Sequence, residues 1–265
     1  YEHNGFIDDA VHHLFACADF YQAACIVERH SDAFMKRGQI TTLLRWMQGL
    51  PDKLLRSNPY LNLCYAAVLC SIDQLAAAES HIKDAESALR EKGLHSSTNR
   101  NSFLEENFND GEELLNALAV VRVSLASFRG DVKEATELSH QAYERLAGGN
   151  LYLQGVVMTC LGIAYVLNGK LAEGDKIFRE AEILGKSADY SHLILVSAVC
   201  RNYIVMEQGH FYRAAEVYRQ ILQRATEEGQ FMPLSIAYLG MGELHYYWNE
   251  MEVAERSLLC GLNLG

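Results

Sequence analysis

The stretch TCLGIAYVLNGKLAEG, residues 159–174, joins an apolar helical run to a glycine at 169 that can end it. It continues with an apolar residue at Leu171 and a small one at Gly174. The six-residue turn inside it recurs as ADFYQA (18–23), DQLAAA (73–78), GDVKEA (130–135), GKLAEG (169–174), GHFYRA (209–214) and NEMEVA (249–254). The last four begin at 130, 169, 209 and 249, spacings of 39, 40 and 40 residues. Gly or Asn in first place can adopt the left-handed conformation that closes a helix. The third place (Phe20, Leu75, Val132, Leu171, Phe211, Met251) puts an apolar anchor at the start of the next helix. In sixth place, Ala23, Ala78, Ala135, Gly174, Ala214 and Ala254 are small enough for paired helices to close on one another, and a second small column follows at Ala85, Ala142, Ala181 and Gly261, interrupted by Ile221. The chain has only three prolines, and its apolar residues recur at helical spacing almost throughout, so it reads as all-α.

A period of about 40 with a helix on either side of each turn is the pattern of an α-solenoid built from helical hairpins. The expected fold is therefore all-α, a right-handed superhelix of tetratricopeptide-like hairpins forming one domain over 1–265. Within it, 1–58 read as irregular N-terminal helices, 59–93 as a first full hairpin, 94–112 as an insertion loop and 113–265 as four regular hairpins. The insertion accounts for the long gap from Asp73 to Gly130. Its sequence, LHSSTNRNSFLEENFNDGEE (94–113), is polar and reads as an extended loop that could dock a partner.

At 265 residues and 49% apolar composition the chain has ample material for a continuous core. Its longest apolar run, Val156 to Val166, is broken by Thr, Cys and Gly and falls short of the roughly 18 residues a membrane span needs. A formal charge of −11 without any dense Lys/Arg cluster excludes direct DNA or RNA binding by this segment. The seven cysteines are scattered without C-x-x-C spacing, which reads as reduced thiols of a cytoplasmic protein rather than disulfides or a zinc site. The chain starts at a Tyr with no signal peptide and reads as a piece of something longer.

Chemical motifs are poor. His12 and His13 are adjacent, hence about 100° apart on a helix, and cannot share a metal as an i, i+4 pair would. Glu243-Leu244-His245 lacks the spacing of a metalloprotease helix, and no nucleophile elbow is present, so no enzymatic activity is expected. Gly240-Met241-Gly242 resembles half of a dinucleotide fingerprint, but His245 occupies the third glycine place and a helix precedes. These glycines, like Gly162 seven residues before its turn, read as packing notches. Arg129-Gly130-Asp131 simply occupies a repeat turn.

In tetratricopeptide-like superhelices the first helix of each hairpin lines the concave side, so ligand contacts are sought on the A helices. The inward positions include Val120, Ser124 and Ser127; Thr159, Ile163 and Val166; Val199, Tyr203, Met206 and Glu207; and Leu239, Glu243, Tyr246 and Tyr247. The candidate ligand-binding set is Thr159, Arg201, Tyr203, Glu207, Glu243, Tyr246 and Tyr247. It offers stacking faces, hydroxyls and carboxylates but no Lys/Arg clamp for a peptide carboxylate. Such a set suits a sugar, a small amphipathic ligand or a partner helix. That the tyrosines merely fill the inner curve stands beside this reading. Arg201 falls where neighbouring repeats have Leu161 and Met241; a charge on that packing column must be ion-paired or form part of a site.

The opening residues carry a family resemblance. NGFIDDAVHHLFACADFYQAACIVERH, then RGQITTLLRWMQGLPDKLLRSNPYLNLCYAAVL, resembles the start of the superhelical domain of MalT-like transcription activators, the large ATP-dependent members of the LuxR group. The matching positions are Ala18 and Asp19; Ala23 and Ala24; Leu43, Leu44, Trp46, Met47, Leu50 and Pro51; and Pro59 with Leu61, with Met47 standing where the family pattern has Leu. SFRGDVKEA and TCLGIAYVLNGKLAEG fit as well. The resemblance implies a sensor domain that binds a small-molecule inducer or a regulatory protein and passes the event to oligomerisation and transcription activation. It also implies ATP in a separate N-terminal module, contacts with other domains of the same chain and self-association; this segment needs no cofactor and no metal of its own. A plain protein-interaction scaffold without a small-molecule ligand is the alternative.

Overall fold

The computed structural model describes residues 6–94 and 111–264. Among them are fourteen helices: α1 (Ile7–Ala16), α2 (Phe20–Lys36), α3 (Ile40–Gly49), α4 (Asp52–Ser57), α5 (Pro59–Ser71), α6 (Leu75–Leu94), α7 (Gly111–Phe128), α8 (Val132–Arg145), α9 (Leu151–Leu167), α10 (Leu171–Ser187), α11 (Ser191–Glu207), α12 (Phe211–Glu228), α13 (Phe231–Tyr247) and α14 (Met251–Leu264). No strand occurs among the described residues, and none of their helices is long and apolar enough to cross a membrane. The structure falls into two compact units, Tyr1–Met35 with Ile40–Leu125 and Lys36–Gln39 with Ala126–Gly265, so that the division runs inside α7.

All six turns read from the sequence reverse the chain through left-handed backbone: φ is 55° at Ala18, 60° at Asp73, 72° at Gly130, 73° at Gly169, 78° at Gly209 and 62° at Asn249. Each closes the preceding helix with the same pair of bonds. At Gly169, for example, the Gly169 amide donates to the Val166 carbonyl (2.9 Å) and the Lys170 amide to that of Tyr165 (2.8 Å), which satisfies two of the helix's orphan carbonyls. The turns between hairpins also pass through left-handed backbone, at Gly148, Asp189 and Gly229.

In the first unit, Leu43, Trp46, Met47 and Leu50 of the α3 segment pack with Val11, Ala23, Ala24, Val27 and Leu61. Trp46, 1% exposed, turns its indole N–H to Asp8 Oδ1 at 2.9 Å, so the largest side chain of this core leaves no buried donor unpaired. Asn58 caps α5 by accepting from the Tyr60 and Leu61 amides, and Pro59 takes the first helical position, where its missing N–H costs nothing. Ala78, Ile82 and Ala85 of α6 pack with Leu118, Val121 and Leu125 of α7. The extended loop read over 94–113 is shorter at both ends: Leu94 closes α6, and Gly111, Glu112 and Glu113 form the first turn of α7, where two carboxylates favour a helix N-terminus. Its remainder lies outside the described residues.

In the second unit, consecutive hairpins α9/α10, α11/α12 and α13/α14 stack so that A helices α9, α11 and α13 lie side by side. The small columns are buried as the spacing requires, with Ala135, Ala181 and Ala214 at 0% exposure. The anchor Phe211 stacks on Tyr247 of the next A helix (ring centroids 5.2 Å), whereas Met251, which no described helix follows, is 51% exposed.

Candidate functional site

The A helices of the second unit are apolar around most of their circumference, which a helix tolerates when neighbours cover it on several sides. One strip stays open. A groove of about 770 Å³ runs along α9, α11 and α13, walled by Ile163, Val166, Leu167, Val199, Tyr203, Met206, Ile236, Leu239, Glu243 and Tyr246, and floored by Phe178, Tyr218 and Leu258 of the B helices. The floor residues stand at 178, 218 and 258, 40 apart, one per repeat. Glycines make room for them: a Cβ at Gly162 would lie 2.6 Å from the Phe178 ring, one at Gly240 2.3 Å from the Tyr218 ring, and one at Gly242 2.7 Å from Leu258. The half-fingerprint glycines are thus packing notches on opposite sides of α13, one toward α12 and one toward α14.

The wall changes character along the register. Positions 163, 203 and 243 are Ile, Tyr and Glu; 166, 206 and 246 are Val, Met and Tyr; 167, 207 and 247 are Leu, Glu and Tyr. The α9 end is therefore aliphatic and the α11–α13 end phenolic and acidic. The Tyr247 hydroxyl donates to Glu243 Oε1 at 3.0 Å while its ring stacks on Phe211, so it is braced at both ends. Burial first, and then the charge of and hydrogen bond with Glu207, push the Tyr203 phenol above its ordinary range, with Glu243 adding to the same effect. Hydrogen bonding to Glu243 does so for Tyr247, and burial followed by the Glu243 charge for Tyr218. Cys200 on the groove side is a poor nucleophile, since burial pushes its thiol up to about 12.

Of the seven candidates, the structure brings five together. Tyr203, Glu243 and Tyr246 line the groove, and Glu207 and Tyr247 adjoin them through their bonds to Tyr203 and Glu243. Thr159 and Arg201 stand elsewhere. Thr159 is 5% exposed; its hydroxyl donates back to the Gly155 carbonyl (2.9 Å) and meets the Ser197 hydroxyl (3.1 Å), as a helical Thr on a packed face commonly does. Arg201 turns toward α10, donating from Nε to Asp175 at 2.8 Å and from Nη1 to Glu182 at 3.2 Å. Burial disfavours both the Asp175 charge and the Arg201 charge, yet their mutual bonds, with those of Arg179 and Glu182, outweigh it: Asp175 is held below the usual carboxylate range and Arg201 raised. The charge on the packing column has found its partners. The floor residues Phe178, Tyr218 and Leu258 were not among the sequence candidates, because the reading counted A helices alone. Their 40-residue spacing is the signal that marks them. Among the described residues no cluster of three or more His, Cys, Asp or Glu could hold a metal ion.

The family model of the MalT-like TPR region matches residues 116–265, more than half of the chain, and the chain belongs to that family. Among solved structures it is similar to a Rap protein complexed with competence and sporulation factor (TM-score 0.59, 11% identity, covering 90% of this chain and 73% of that one). It is similar also to NprR in complex with its cognate peptide NprX (TM-score 0.56, 15% identity, 98% and 66%). A third likeness is to a signal transduction ATPase with numerous domains carrying a tetratricopeptide repeat sensor, from Pyrococcus horikoshii (TM-score 0.50, 14% identity, 88% of this chain). This chain spans 34% of that protein's length. At such identities these likenesses concern the fold.

Proposed function

We propose that this chain is the sensing repeat module of a cytoplasmic MalT-like, LuxR-type transcription regulator, and that the groove on α9, α11 and α13 receives its regulatory ligand. The observation that carries the reading is an open groove crossing three consecutive A helices, with Tyr203 and Tyr246 left 41% and 59% exposed beside Glu243. A merely structural filling of the inner face would bury those rings. NprR, of similar fold, is known with a peptide bound.

The mechanism follows from repeat physics. Each hairpin touches only its neighbours, so a ligand bridging three A helices acts on two successive interfaces at once. It thereby shifts the population between two curvatures of the array, one of which favours oligomerisation and transcription activation; a preference of about 1–3 kcal/mol suffices for a useful response. ATP, in this reading, is held by another module of the same regulator. Thermal-shift and small-angle scattering measurements on this chain with effectors of the regulator test it. A raised melting temperature with a changed radius of gyration is expected, and effectors that activate the regulator yet alter neither quantity would refute it.

A further inference from the structure

Several acidic side chains of the second unit are held by arginines: Asp175 by Arg179 and Arg201, Glu182 by Arg201, Glu216 by Arg219 and Glu228 by Arg224. Glu207 and Glu243 are different. Among the described residues neither ion-pairs with a Lys, Arg or His; their bonds are to the phenols of Tyr203 and Tyr247. These phenols, with Tyr246 (edge to Tyr247, centroids 6.2 Å), present ring faces beside two carboxylates at the mouth of the groove. A cation seated there would gain charge-assisted hydrogen bonds from the carboxylates and ring-face attraction from the tyrosines. At the other end, Ile163, Val166 and Leu167 above Phe178 offer nothing but aliphatic and aromatic surface.

Length decides between a small amine and something longer. Packed helices lie about 8–10 Å apart, so the walls from α9 to α13 span about 20 Å. An extended chain, at about 3.3 Å per residue, covers that with about six residues. A volume of about 770 Å³ likewise exceeds what one ammonium group and its stem would fill.

Building on the proposed sensing role of this groove, we propose that its ligand is a short linear peptide of about six residues, aliphatic at the end seated on α9 and carrying a Lys or Arg side chain at the end held between Glu207, Glu243 and the tyrosines. The lack of a Lys/Arg clamp for a terminal carboxylate fits this, since a side-chain cation and not the peptide terminus supplies the charged anchor.

Isothermal titration of the full 265-residue chain with synthetic hexapeptides tests it. The panel has Leu and Val at one end and Lys, neutral norleucine or Glu at the other, each in both chain directions, and octylamine as the small-amine comparison. The Lys peptide is expected to bind in one direction at least tenfold more tightly than the norleucine peptide, with the Glu peptide weakest. Glu207→Gln with Glu243→Gln should abolish that preference and leave the melting temperature within a degree or two, while Arg201→Lys should leave it intact. Equal binding of Lys and Glu peptides, or an undiminished preference in the double variant, overturns the cationic assignment but leaves the groove's sensing role standing. Binding of octylamine alone overturns the peptide assignment. Silence from every probe, together with effectors whose response is insensitive to Ile236→Trp in the groove wall, overturns the sensing role as well.

Discussion

At equivalent places of one 40-residue register, α9 presents Ile163, Val166 and Leu167, whereas α13 presents Glu243, Tyr246 and Tyr247. Beneath both lies the same construction, a large B-helix side chain under a glycine: Phe178 under Gly162 and Leu258 under Gly242. The scaffold is conserved along the array while the surface it displays is not. A second pair of places shows what internal compensation looks like. Arg201 with Asp175 and Glu182 in one interface becomes Met241 with Ala215 and Leu222 in the next, each set shifted by 40. Where charge serves packing, all its partners change together and the charges cancel within the chain. Where it stands in the groove, no cation accompanies it.

The comparison is broken most forcefully at the floor. Phe178→Ala empties a site that is 1% exposed and should cost about 3–5 kcal/mol, measured by urea denaturation. Leu258→Ala, at a site 37% exposed, should cost no more than about 1–2 kcal/mol. Similar losses at both would contradict the difference in burial between the two ends.

The interface comparison comes next. Arg201→Met alone leaves Glu182 without its partner and Asp175 with Arg179 only, and should destabilise by about 1–3 kcal/mol. Adding Asp175→Ala and Glu182→Leu recreates the next interface and should recover most of that loss. A triple variant no more stable than the single one would show that the two interfaces are not interchangeable.

Acid weakens carboxylate and histidine contributions in the same direction. Asp175 is held below its ordinary value, so it contributes stability above pH 3.8 that is lost as pH falls through its lowered value. His192 is depressed by burial, only partly offset by its bond with Gln230, and His81 by burial and then by Arg56. Below pH 6.5 the unfolded chain therefore takes up protons that these histidines refuse, and stability should decline with pH from there downward. His192→Gln should flatten the first part of that decline; an unchanged slope would remove His192 as its source.

The smallest effects sit in the turns. Ala18 adopts a φ of 55° that its Cβ resists, so Ala18→Gly should stabilise by about 0.5–1 kcal/mol, and Gly169→Ala should destabilise by a similar amount. Thermal melts of the two variants should shift in opposite directions.

The fold was legible because each hairpin repeats its own punctuation. Aligning the turns placed Ala18, Asp73 and Asn249 in the first turn position although none is a glycine, and all three are left-handed in the structure. Asp189, which is left-handed between hairpins, escaped because the alignment covered only the turns within hairpins, although it stands 41 residues after Gly148 and 40 before Gly229. In the groove, the wall residues Ile163, Val166, Val199, Tyr203, Met206, Leu239, Glu243 and Tyr246 followed from helical spacing. Thr159 was legible as an inward position and Arg201 as a charge that must be ion-paired or form part of a site, but not which partners they find: that depends on the neighbouring helix, and sequence spacing within one helix says nothing of it.

The most direct measurement is ¹⁹F NMR of the chain labelled with 3-fluorotyrosine, with resonances assigned by single Tyr→Phe variants, during titration with a ligand that raises the melting temperature. Groove binding predicts that the Tyr203, Tyr246 and Tyr247 signals move together. Tyr143 on α8 and Tyr212, which is 83% exposed and stacked on Trp248 away from the groove lining, should stay in place. Movement of Tyr143 or Tyr212 with the three groove signals unchanged would contradict the assignment of this groove as the sensing site.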